Sequence, residues 1–194
     1  MRRYLTAAAI LAAMTENAMA HAGAGIPGGF VSGFDHPISG WDHIVAMIAV
    51  GLWGAQLGAP AIWLLPITFP LMMALGGFAG LVGLPLPGVE IGIAASAVVL
   101  GLAVASEARP ALWVAMVTVG VFAIFHGYAH GAELEKGTDP LAYSLGFVAA
   151  TGLLHALGIL IGELHRWRLG ERAVQVLGAV VAVAGVSFFY SAVA

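Results

Sequence analysis

The sequence predicts an all-α, polytopic membrane protein: a six-transmembrane-helix bundle behind a cleaved N-terminal signal peptide. Three observations carry that class. Of the 194 residues, 61% are hydrophobic and 9% charged, with a mean hydropathy of +0.98, which is too apolar a balance for a water-soluble domain of this length. Six apolar segments follow one another with short breaks. The chain also opens on Met1-Arg2-Arg3, an apolar run from Leu5 to Ala13, and Ala18-Met19-Ala20, the basic, apolar, A-x-A order of a secretory signal.

Taken in order, that opening run is shorter than the ~20 residues a span needs, so residues 1–20 are read as a signal and 21–194 as a single membrane domain. Cleavage after Ala20 leaves His21 first, with a free amine beside its imidazole, a candidate metal catch. Residues 22–34 are rich in glycine and predict an irregular lead-in outside the cytoplasm. The apolar segments fall near 38–57, 60–83, 89–106, 110–130, 140–162 and 173–193. Their joins, such as Gly58-Ala59-Pro60 and Leu84-Pro85-Leu86-Pro87-Gly88, carry helix-stopping residues. Short joins predict neighbouring helices running up and down.

Charge gives the orientation. Short cytoplasmic loops are enriched in Lys and Arg. With the start outside, Arg109, Arg166, Arg168 and Arg172 fall inside, and Lys136, among Glu133, Glu135 and Asp139, falls outside. An even number of spans then puts both mature termini in the periplasm of a bacterial inner membrane. Glycines at Gly54/Gly58, Gly76/Gly80 and Gly158/Gly162 predict close helix packing. Pro66 and Pro70 predict a kink in the second segment and carbonyls without a helical donor at Ile62 and Pro66.

Two clusters of polar residues interrupt the apolar pattern. Phe34-Asp35-His36-Pro37-Ile38-Ser39-Gly40-Trp41-Asp42-His43 places His36, Asp42 and His43 at the mouth of the first segment. Phe125-His126-Gly127-Tyr128-Ala129-His130-Gly131-Ala132-Glu133 places His126, His130 and Glu133 at i, i+4 and i+7, within roughly 60° of one another on a helix. Ionisable groups in a membrane are costly and mark function. At 1.5 Å per residue, Asp42 and His43 lie about 6–8 Å below the outer surface, and His126 and His130 about 22 and 28 Å along an outward-running helix. Both clusters therefore come to one shallow outer depth and predict a shared site for one divalent cation.

The donor set narrows the ion. There is no cysteine, which excludes disulfides and thiolate sites, and the net charge of −3 argues against nucleic acid. Imidazole with carboxylate suits Ni²⁺, Co²⁺ or Zn²⁺. Met47, one turn after His43, reads as packing. His155 in the fifth segment lies about 22 Å below the outer surface, too deep for capture. It reads either as a packing residue bonded to a carbonyl or as a polar step on the inward route.

The stretches His36-Pro37-Ile38-Ser39-Gly40-Trp41-Asp42-His43, Phe125 to Glu133 and Ala150-Thr151-Gly152-Leu153-Leu154-His155-Ala156-Leu157-Gly158-Ile159 resemble, in the same order, the motifs of the HupE/UreJ family of bacterial nickel permeases. The resemblance implies uptake of Ni²⁺, and of Co²⁺ as a second cargo, for hydrogenase or urease maturation. It implies no resident cofactor, with the bilayer and the cation as partners and a cytoplasmic metallochaperone as a candidate receiver. Carried over by position, the binding candidates are His36, Asp42, His43, His126, His130 and Glu133, with His155 and His21 behind them. The expected activity is that of a permease and not of an enzyme. The rival is a Zn²⁺-dependent intramembrane hydrolase, in which the same ligands would activate a water.

Overall fold

The computed structural model describes residues 29–193 except residue 136. The expected signal at 1–20 and the candidate His21 lie outside the described residues. Within them the chain forms α1 (Gly29–Ser39), α2 (Trp41–Leu57), α3 (Ala61–Leu81), α4 (Val89–Ala105), α5 (Leu112–Ala132), α6 (Pro140–Gly162), a 3₁₀ turn (Glu163–Arg166) and α7 (Arg168–Val193), with no strand among the described residues.

Each of the six expected apolar segments is helical. Four stretches, α3, α5, α6 with its 3₁₀ extension, and α7, are long and apolar enough to cross a membrane. A fifth is obtained when α1 and α2, bent by 82° across Gly40, are taken together. Helix α4 is apolar but has 17 residues, about 25 Å of rise against a ~30 Å hydrocarbon core. Large apolar side chains such as Trp63, Leu71, Leu141, Leu160 and Leu169 face outward, as they do where the solvent is lipid. Helix α7 starts at Arg168, five residues before the expected boundary, so the basic run forms its first turn.

The glycine-rich lead-in is corrected in part. From Gly29 onward it is helical, because glycine here serves packing and not chain freedom. A Cβ on Gly33 would lie 1.9 Å from the Tyr143 carbonyl oxygen, and one on Gly146 would lie 2.0 Å from that of Phe30. Helices α1 and α6 thus touch backbone to backbone.

The same device fixes the other helix pairs. Cβ atoms on Gly127 and Gly131 of α5 would collide with the Met73 and Gly77 carbonyls of α3, and Cβ atoms on Gly76 and Gly80 of α3 with those of Ile124 and Tyr128. Gly51 and Gly158 join α2 to α6, and Gly101 joins α4 to α7. Of the expected packing glycines, Gly58 is the exception: its φ is +74° and nothing lies within 4 Å. It ends α2 in a conformation few other residues adopt.

Inside, Met47, Leu52, Leu65, Phe69, Leu100 and Val119 are fully buried, held by close packing, since lipid tails are as apolar as the core and withdrawal from water does not drive the helices together. Helix α3 passes through Pro66 and Pro70 as one unbroken helix, so the expected kink does not divide it. Asp139, at the end of the acidic stretch expected outside, caps α6 by accepting from the amides of Leu141 and Ala142. Through these contacts α1, α2, α5 and α6, which carry most of the histidines, are held in fixed register.

Candidate metal centre

The two expected clusters meet. The ring centroid of His43 lies 4.9 Å from that of His126 and 4.7 Å from that of His130, and the His36 ring lies 4.5 Å from His130 and 6.1 Å from His43. Four imidazoles from α1, α2 and α5 therefore share one small volume. The 82° turn at Gly40 makes this possible. A straight helix would carry His36 about 10 Å along the axis from His43, whereas the bend folds α1 back beside the end of α5.

Hydrogen bonds orient the rings. His43 Nδ1 lies 2.9 Å from Asp42 Oδ1, and the same oxygen accepts the His43 amide at 2.9 Å. An ionised carboxylate only accepts, so the His43 proton sits on Nδ1. The Nε2 lone pair then faces His130 Nε2 at 2.8 Å, and between neutral rings His130 supplies the proton. Asp42 thus orients His43, as a carboxylate does in the carboxylate–histidine arrangement of metal sites.

His126 is oriented by a residue the sequence reading missed. Ser96 Oγ donates to the Ile93 carbonyl at 2.6 Å and lies 3.0 Å from His126 Nε2. A hydroxyl has one proton, so Ser96 accepts from His126 Nε2–H. This leaves the lone pair on Nδ1, which is buried with no hydrogen-bond partner among the described residues. A serine in an apolar helix carries no spacing signal, and only the meeting of α4 with α5 reveals it.

Glu133 is the C-terminal cap of α5, exposed, within electrostatic reach of Tyr143. His155 is buried in α6 beyond the Phe69 ring, which stands 5.6 Å from His126 and 5.4 Å from His155. Met47 lies in the apolar core. His165 is held by the Gly162 carbonyl at 2.8 Å.

Chemically, the group offers nitrogen donors in a mostly dry setting with one carboxylate behind them. Two ligands at about 2.1 Å from one ion and at right angles to each other stand about 3.0 Å apart, close to the 2.8 Å between His43 Nε2 and His130 Nε2. As they stand, no three His, Asp or Glu side chains among the described residues surround a single point suited to a metal. A cavity of about 260 Å³ between α3, α5 and α6 reaches His130 and is otherwise lined mainly by apolar side chains such as Met73, Phe78 and Phe147.

Comparison with known proteins covers nearly the whole chain. The family model described as HupE / UreJ protein matches residues 8–188. Protein HupE of Rhizobium leguminosarum bv. viciae is 42% identical over 184 residues, which is 94% of this chain and 96% of that one. No solved structure matches.

Proposed function

This chain belongs to the HupE/UreJ family, and from that premise we propose that it is an inner-membrane permease for Ni²⁺. Co²⁺ is the second candidate cargo. The ion is captured at the outer face by His36, His43, His126 and His130, with Asp42 orienting His43 and Glu133 at the rim. It is released to the cytoplasm for hydrogenase or urease maturation, where a metallochaperone is the candidate receiver.

The observation that carries this reading is the convergence of four imidazoles from three helices, His43 and His130 standing 2.8 Å apart across 87 residues of sequence. Buried polar side chains in a membrane protein are costly unless they serve one another or a passing ion, and a structural need would be met by one such pair. The topology that goes with it has six spans, α4 being the shortest, with both mature termini periplasmic and Arg109, Arg166, Arg168 and Arg172 inside. Transport needs no nucleotide-binding loop. An inside-negative potential gives a divalent cation about 4.6 kcal/mol per 100 mV.

Reconstitution tests the proposal. Purified protein in liposomes takes up ⁶³Ni²⁺, and His43→Ala and His130→Ala abolish uptake while the protein stays monodisperse and helical. Vesicles that accumulate no metal would refute it. Turnover of a lipid or peptide without accumulation would favour the hydrolase rival, for which no observation here speaks.

A further inference from the structure

Two buried polar side chains on α6 have no part in the outer group. His155 is 2% exposed and Thr151 is fully buried. Neither ring nitrogen of His155, nor the Thr151 hydroxyl, has a hydrogen-bond partner among the described residues. Four residues apart on one helix, they lie on the same face, one turn from each other.

Among the described residues, Thr151 carries the one buried hydroxyl left without a partner. A serine or threonine inside a helix relieves its hydroxyl on the carbonyl four residues back, as Thr118 does on Val114 at 2.9 Å and Ser144 on Pro140 at 2.7 Å. Thr151 does not. A third polar group lies alongside: the Pro66 carbonyl, which loses its helical donor because Pro70 has no N–H, is close enough to the His155 ring to interact with it but not well enough placed to complete a hydrogen bond. Each buried group left without a full partner carries an uncompensated desolvation cost. A residue needed only to fill space between α3 and α6 would be leucine or phenylalanine, at no such cost.

We infer that His155, Thr151 and the Pro66 carbonyl form a second, inner site for a divalent cation on its way from the outer imidazoles to the cytoplasm. The inference rests on the permease reading. One neutral imidazole and two neutral oxygens suit a borderline divalent ion that keeps part of its water, and bind it more weakly than the outer group does. That is the right order of affinities, because a transit site must let go. His126 and His155 flank the same Phe69 ring at 5.6 and 5.4 Å, so the two sites are separated by one side chain. Seven residues, about 10 Å of helix, then remain between His155 and the end of α6.

The test is initial-rate ⁶³Ni²⁺ uptake into liposomes at graded Ni²⁺, per folded, monodisperse molecule, for wild type, Thr151→Val and His155→Ala. Thr151→Val keeps side-chain volume and is the decisive variant if His155→Ala folds poorly. The site predicts a maximal rate lowered about tenfold or more in each, with KM within about twofold of wild type because outer capture is intact. Wild-type rates in Thr151→Val, or a loss in both variants that tracks their thermal stability, overturns the inner site alone. No uptake by wild type overturns the permease reading and the inner site with it.

Discussion

At the scale of single residues, the protons decide which nitrogens can bind. Ser96 donates its only hydroxyl proton to Ile93, which obliges it to accept from His126 Nε2. Asp42 likewise fixes the His43 proton on Nδ1. Replacing a partner of this kind weakens metal binding by about 10–100-fold in known sites. Ser96→Ala is therefore expected to lower Ni²⁺ affinity by about that factor in isothermal titration, and Asp42→Asn to do the same, with helicity unchanged. Equal affinity in Ser96→Ala would mean that His126 does not bind through Nδ1. The histidines themselves were legible in the sequence, because an imidazole inside an apolar run is rare and helical depth brings the two motifs level. Their proton positions were not, since Ser96 and Thr151 look like any small polar residue until their neighbours are known.

At the scale of helices, glycine does two opposite things here. A Cβ on Gly131 would lie 1.9 Å from the Gly77 carbonyl oxygen, a backbone atom that cannot swing away, so the helices must part. Gly131→Ala is expected to cost about 1–3 kcal/mol or more, read as a lower midpoint of thermal unfolding in detergent. Gly152, in the middle of α6, has nothing within 4 Å. Gly152→Ala is expected to be neutral or to stabilise by about 0.5–1 kcal/mol in the same assay. Helix positions could be read from apolar runs and their Pro and Gly breaks, and most boundaries fall within a few residues of those expected. Helix α1 could not, because a local reading of Gly29, Gly33 and Ser32 favours a loop. The opposing term is tertiary: Gly33 and Gly146 let α1 and α6 pack at backbone distance.

At the scale of the whole molecule, the absence of cysteine makes the proposed topology open to a clean test. Single cysteines at Glu135→Cys and Ser106→Cys sit on exposed positions at opposite ends of the bundle. The outside-start orientation predicts that a membrane-impermeant maleimide labels the first in intact spheroplasts and the second only after permeabilisation. The reverse pattern would invert the route, with His36 and His43 facing the cytoplasm. What the sequence made plain at this scale was the membrane class. How α1 leaves the axis of α2 was not legible, because an 82° turn at one glycine needs no special composition.

That turn has a consequence for a residue with no side chain at all. Gly40 has an ordinary extended backbone, φ −101° and ψ 121°, so its conformation does not demand glycine. Space does. A methyl group there would stand 2.8 Å from Asp42 Oδ1 and 3.2 Å from His43 Nδ1, and the atom it strikes first is the far end of a movable side chain. The helix can therefore accept alanine while the carboxylate is pushed off its imidazole. Gly40 serves the proposed metal site by what it leaves vacant, and Gly40→Ala should yield a protein that folds and inserts normally yet holds nickel poorly in the same titration.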